Sequence, residues 1–454
     1  MMHKYNKPDR DYLDNFERWE LTSDVISSRL KKGRTKYLPM PNPDDSSQRN
    51  KLKYDNYLQR AVFYNFTRPT QTELIGAMFR VKPTLDVDVI DYIKNDIDGS
   101  GLSFEQQAKD AARELTQTGR GGFFVDYTAT ERARSKADEI NNRNRPVAIF
   151  YDAMKILRCS TSVINSKRVL SKIVLAEFSD DAIMHDRERV IFLNDDNICQ
   201  IDLYLYENGL QTDVVTQFPT DKNGKNLDYI PFQFVGALNN DETVDESILY
   251  DLAVINVAHY QSSADYEDFR YRLGTVQAVV TGLTAAEIKS NGGVLQFGGA
   301  AWVFGKDAKA ELLQAQPNMV SFESMKHKEE QARAIGAKLK NPSQGNMTAT
   351  ESDRLSGSEE ANIITIIDNL ESAYRNVFDM MLDRVQSGSI SLSFSREFVK
   401  STLSSDELRV LSEMAFKRQI PDSVLFDRMR KSGYFSDELT NDDIRTMLDD
   451  GLIR

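Results

Sequence analysis

The chain has 454 residues, 40 % hydrophobic and 28 % charged, the composition of a globular protein with length for two to four core-bearing units. Its net charge of −12 carries no basic footprint for tight nucleic-acid binding, yet suits a surface that DNA slides past without sticking. Cys159 and Cys199 make no disulfide framework and suit a reducing cytosol, and neither a signal peptide nor an apolar run of the roughly 20 residues needed to span a membrane is found.

Residues 1–70 are polar and aromatic, with an extended piece at Pro39-Met-Pro-Asn-Pro43. From about Lys51 to Phe79 the apolar spacing turns helical, and Pro83 stops the element. Ser103 is placed to cap a helix over 103–118 that ends at Gly119, after which Gly119-Arg-Gly-Gly-Phe-Phe-Val-Asp126 leads into a strand. That glycine cluster lacks the Gly-Lys-Ser/Thr ending of a phosphate loop and follows a helix instead of preceding one.

Between Arg145 and Gly236 the period drops to two. Strands are expected at 147–151, 169–178, 189–193, 198–206, 214–218 and 230–235, with turns at Asn194–Asn197, Glu207–Gly209 and Lys222–Lys225, so this region is mostly antiparallel β. Asp245 is placed to cap a helix over Glu246–Leu273, about 40 Å long. Gly274 to Val320 reads as a small Gly-rich α+β insert with a strand at Val276–Val280 and a short helix at Thr284–Ser290.

A helix over Ser321–Lys340 follows. It is broken by Asn341-Pro342-Ser343-Gln344-Gly345-Asn346-Met347, because Pro342 lacks a donor N–H and Gly345 permits positive φ. Thr348-Ala-Thr-Glu351 is a capping box that restarts the chain as a long helix, with Gly357 as a kink site. This helix carries Ile363, Ile367, Leu370, Tyr374 and Phe378 on one apolar stripe, expected to face a neighbouring subunit. The broken segment is uncharged, with Lys338 and Lys340 just before it and Arg333 a turn or two earlier. Ser389–Phe394 alternates as one more strand, and 404–454 is helical, with capping patterns at Ser404…Glu407 and Thr440…Asp443, Pro421 in a first turn and Gly433 past a helix end.

The chemistry of catalysis is hard to find. His3, His185, His259 and His327 are scattered without metal-ligand spacing, and no nucleophile elbow, His-Glu-x-x-His or Walker lysine occurs. The paired carboxylates at 180–181, 195–196, 442–443 and 449–450 fall at turns and helix starts, where Asp is structurally favoured. No enzyme activity, metal or cofactor is expected.

The order of these parts, together with Ile230-Pro-Phe-Gln-Phe-Val-Gly236, Leu252-Ala-Val-Ile-Asn-Val-Ala-His-Tyr-Gln-Ser-Ser-Ala-Asp-Tyr266, Ile335-Gly-Ala337 and Thr348-Ala-Thr-Glu351, resembles tailed-bacteriophage portal proteins. The likeness is to the subfamily catalogued as a phage portal domain of formerly unknown function, and it covers most of residues 50–385. It implies an α+β portal-type fold: a wing over 1–245, stem helices over 246–273 and 321–340, a clip over 274–320, a tunnel loop over 341–350, a long wing helix and returning strand over 351–400, and a helical crown over 401–454. It further implies a homo-oligomeric ring, usually a dodecamer, at one vertex of the capsid in the virion. Double-stranded DNA would pass through the channel, with the terminase large subunit, the head–tail adaptor and capsid or scaffold proteins as partners and no membrane. In such a ring Asn341–Thr348 would line the narrowest point, and Arg333, Lys338 and Lys340 would form a sparse cationic collar facing DNA. Two other classes remain open from the residues: a metal-dependent nucleic-acid enzyme of packaging, and a monomeric adaptor or scaffold.

Overall fold

The computed structural model describes residues 8–127, 145–164, 166–177, 186–207, 210–273, 277–290, 307–313, 320–340, 349–385, 388–396, 405–431, 434–435, 439–449 and 451. It is an α+β protein. Helices α1 (Arg10–Ile26), α2 (Leu30–Gly33), α3 (Gln48–Arg60) and α4 (Thr67–Met78) lead to strand β1 (Thr84–Val87) and helix α5 (Phe104–Thr118). The first helix was not legible as one in the sequence. Its start is set by Asp9, whose Oδ1 accepts from the Tyr12 N–H at 2.8 Å.

The cap at Ser103 forms as expected, its Oγ accepting from the Gln106 N–H at 3.2 Å. At the other end Gly119 takes a left-handed φ of 79°, and a side chain there would collide with the Asp245 backbone. The chain turns at once into β2 (Arg120–Tyr127), which lies between β3 (Pro146–Asp152) and β9 (Phe232–Gly236). A second, five-stranded antiparallel sheet runs in sequence order through β4 (Ile156–Ile164), β5 (Lys167–Glu177), β6 (Arg187–Leu193), β7 (Cys199–Glu207) and β8 (Leu210–Gln217). The period-two reading found these strands except β4. That strand turns polar after Leu157 and is half-exposed on both faces, so no apolar alternation marks it.

Residues 173–176 of β5 are buried on both faces, which explains their unbroken apolar run. Ile173 and Leu175 join Phe124, Ile191, Ile201 and Phe234 between the two sheets. Val174 and Ala176 face Tyr12 and Trp19 of α1 on the other side.

Beyond the sheets come α6 (Tyr250–Leu273), β10 (Gln277–Thr281), α7 (Ala285–Ser290), β11 (Lys309–Leu313), α8 (Val320–Lys340) and α9 (Ala349–Leu382). Strand β12 (Ile390–Ser393) pairs antiparallel with β1 across the chain, and α10 (Ser405–Phe416), α11 (Asp422–Lys431) and α12 (Asn441–Asp449) complete it. The capping box at Thr440 is present: Asp443 N–H donates to Thr440 Oγ1 at 3.2 Å, and Thr440 N–H to Asp443 Oδ2 at 2.9 Å. Ser404 and Gly433 lie outside the described residues, and α9 continues through Gly357 as one helix.

Two expectations need correction. The helix expected from Glu246 begins at Tyr250, because Asp245 is engaged elsewhere. Its Oδ2 accepts from the N–H groups of Leu238 (2.7 Å) and Asn239 (2.9 Å), whose turn after β9 competes for the carboxylate. The stripe on α9, expected to face another subunit, is covered by this chain. Ile367, Leu370, Tyr374 and Phe378 lie in the largest core, with Phe104, Ala108 and Leu115 of α5 and Phe123 of β2, and Ile363 packs at its edge. Phe104 is the hub: its ring meets Tyr374 at 4.9 Å, Phe378 at 5.8 Å and Phe394 at 6.1 Å. Tyr374 Oη donates to Gln107 Oε1 at 3.2 Å, and Gln107 Nε2 to the Ala148 carbonyl at 2.7 Å, so the polar atoms of this core are paired.

Candidate functional site

The feature that sequence order singled out, two long helices either side of a small insert, is built as an antiparallel pair. Contacts run Tyr266 to Phe322, Ser262 to Ser324, and His259 to Glu329, so α6 descends as α8 ascends. Chemistry changes along the pair. At the end nearest the sheets, Leu249 just before α6 and Leu252 within it pack with Ala332 of α8 and Leu74 of α4. In the middle, Lys328 Nζ donates to Ser262 Oγ (2.8 Å) and Ser324 Oγ (2.6 Å), and His259 Nε2 stands 3.3 Å from Glu329 Oε1. Burial holds the His259 pKa below its ordinary value, with Glu329 opposing. At the far end, Tyr266 and Phe322 rings lie 5.6 Å apart, and β10 pairs with β11 in register from Gln277↔Leu313 to Thr281↔Lys309.

Helices α3 and α4 brace the same pair. Asn256 of α6 acts as a cap for another helix: its Oδ1 accepts from Thr67 Oγ1 at 3.0 Å and the Phe66 N–H at 3.2 Å, while its Nδ2 donates to the Tyr64 carbonyl at 2.8 Å. No side chain of α4's own first turn does this work. Farther along, Tyr57 Oη donates to Asp265 at 2.6 Å, and Arg60 pairs with Asp268 and lies over the Tyr271 ring. Burial and the Asp265 partner raise the Tyr57 hydroxyl pKa far above its usual range. Tyr260 is fully buried against Phe63. Sequence reading missed this brace; the signal was present as two acids, Asp265 and Asp268, spaced one turn apart on α6.

Asn341, Pro342, Ser343, Gln344, Gly345, Asn346, Met347 and Thr348 lie outside the described residues, as do the side chains of Lys338, Lys340 and Glu351. Arg333 is exposed on α8, 3.7 Å from Glu329 one turn back, so its charge is partly offset. Among the described residues no group of three or more His, Cys, Asp or Glu is arranged to hold a metal, and no helix is long and apolar enough to cross a membrane.

The family described as a domain of unknown function, DUF4055, matches residues 248–383, the span from α6 to the end of α9. Among solved structures, a chain of the "Virion of native gene transfer agent (GTA) particle" is similar at 11 % identity and a TM-score of 0.41, covering 87 % of this chain and 92 % of that one. A chain of the "Neck of empty GTA particle computed with C6 symmetry" is similar at 12 % identity and a TM-score of 0.41, covering 86 % and 92 %. No curated protein sequence matches the chain.

Proposed function

We propose that this chain is the subunit of a portal-type ring at a phage capsid vertex, through which genomic DNA is packaged and ejected. The observation that carries the reading is the antiparallel α6–α8 pair, which holds β10, α7 and β11 away from the sheets and leads through residues 341–348 into the 34-residue α9. This helix pair of about 35 Å is braced by α3 and α4 as far as Asp268 and Tyr271, and the small β10–α7–β11 module follows at its end, an arrangement that suits a stem and clip. Three of the sequence words that resemble portal proteins, at 252–266, 335–337 and 348–351, fall on these same elements, and the fourth, at 230–236, falls on β9. On this reading the β10–α7–β11 module meets the terminase large subunit and later the head–tail adaptor, and the protein resides in the virion. It acts as a conduit and not as an enzyme.

The segment 341–348 carries no charged residue. Amides and hydroxyls brush phosphates without the counterion-release affinity that would arrest a moving duplex. Removing Ser343–Asn346 leaves assembly intact, because the residues removed lie outside every described core. Packaging or retention of DNA is then impaired. Particles carrying the deletion that package and retain full-length DNA normally would overturn the channel assignment.

A further inference from the structure

The five-stranded sheet ends in an edge that nothing described covers. All of β8 is exposed except the half-buried Val214, on both faces, and among the described residues outside β7 the one bond recorded to its backbone is local, Asp213 Oδ1 accepting from the Val214 N–H at 2.8 Å. Leu210 is 73 % and Val215 41 % exposed. The strand, Leu-Gln-Thr-Asp-Val-Val-Thr-Gln, holds no proline and no lysine, the residues by which proteins usually blunt an edge. The opposite edge, β4, is half closed. Asp9 takes its first part, donating its N–H to the Leu157 carbonyl at 3.0 Å and accepting from the Cys159 N–H at 3.1 Å. From Ser160 to Ile164 the outer side is free among the described residues, and Val163 is 74 % exposed.

The two edges differ in charge. Strands β4 and β5 carry Arg158, Lys167, Arg168 and Lys172 against Glu177 alone. Strands β7 and β8 carry Asp202, Glu207 and Asp213 and no cation. The sheet is therefore polarised from a basic edge to an acidic one. Two β8 edges related by a two-fold axis would bring like charges together. An acidic β8 edge laid against the basic β4 edge of another copy brings unlike charges together, and leaves a free β8 on that copy to repeat the contact.

We propose that β8 of one copy docks on the Ser160–Ile164 edge of the next copy's β4, continuing the sheet from subunit to subunit. The contact is heterologous, so it closes into a ring at a fixed rotation and otherwise propagates. Because β4 to β8 is an odd number of alternating strands, β4 and β8 run the same way, and the junction is a parallel pair. This deepens the ring reading above and rests on it for the expectation that the contact closes.

The test uses the full chain and two exposed sets of charges, with native mass followed against concentration. Reversing the acidic edge (Asp213→Lys) or the basic edge (Arg158→Glu with Lys167→Glu) is expected to raise the half-assembly concentration by roughly tenfold or more. Combining the two sets restores assembly to within roughly threefold of the parent, which also shows that each variant folds. Hydrogen exchange gives a second readout, in which amides of 210–217 and 160–164 gain protection on assembly. Rings that form with unchanged midpoints in the reversed variants would reject this edge and leave the ring reading standing. Weakening without restoration, or no gain of protection at β8, would likewise reject the pairing. A parent chain that stays monomeric at all concentrations would reject both.

Discussion

Replacing Glu114 by Gln should make the protein more stable above neutral pH and change the sign of nothing in acid. Glu114 keeps part of its surface exposed, but its carboxyl end lies inside, beside the β3–β4 junction, and that end governs its titration. Burial first and the Asp152 charge second push its pKa up from the ordinary 4.5 to about 7, against hydrogen bonds from Thr118 Oγ1 (2.9 Å) and the Ala153 N–H. Lys155 lowers it less, being paired with Asp152 at 2.8 Å. A carboxyl raised on folding stabilises the native state fully below its unfolded pKa, and that stability is lost as pH rises through the folded one. The window is therefore about pH 4.5 to about 7, and the loss is about 3 kcal/mol once pH passes 7. Gln keeps the neutral shape and an accepting oxygen, so the variant escapes the loss. Urea unfolding of both proteins at about pH 5 and about pH 8 isolates the effect, since other titrating groups cancel in the difference. A stability difference that does not move with pH would refute the reasoning, and a variant less stable than the parent at about pH 8 would refute it more strongly.

Phe378→Ala should cost about 3–5 kcal/mol of folding stability, because its ring is 1 % exposed between Phe104 and Tyr374, and it should do so without selectively weakening association; thermal unfolding beside native mass separates the two. Tyr57→Phe removes the hydroxyl that Asp265 accepts from and leaves that carboxylate one donor short, so about 1–3 kcal/mol of stability is lost, with hydrogen exchange rising first in α3 and the second half of α6. Several lysines placed within Ser343–Asn346 should slow DNA translocation at low salt and recover as salt rises; a defect indifferent to salt would contradict the phosphate-contact picture. The purified chain should neither hydrolyse ATP nor cut DNA with Mg²⁺ or Mn²⁺, and turnover abolished by changing Asp195 and Asp196 would instead favour a nuclease.

The sequence was most legible where one residue type solves one backbone problem. Ser103 and Gly119 mark both ends of α5, Thr440 and Asp443 mark the start of α12, and period-two runs mark β5 to β7. It misled where two users compete for one group. Asp245 had the look of a helix cap, but the free N–H groups of Leu238 and Asn239 take it. The stripe Ile363–Phe378 correctly signalled a buried face, but periodicity does not tell which chain buries it, and α5 and β2 do. Strand β4 escaped notice because its outer half is polar and wet on both faces, and the brace from Tyr57 and Arg60 to α6 because it joins residues 208 positions apart.

Images of the purified full-length chain under native conditions test the ring most directly. The expected result is a closed ring of identical subunits around an axial channel wide enough for duplex DNA, with the α6–α8 pairs standing around it and the segment 341–348 at its narrowest point. Monomers or dimers at every concentration, or an assembly with no axial opening, would contradict it.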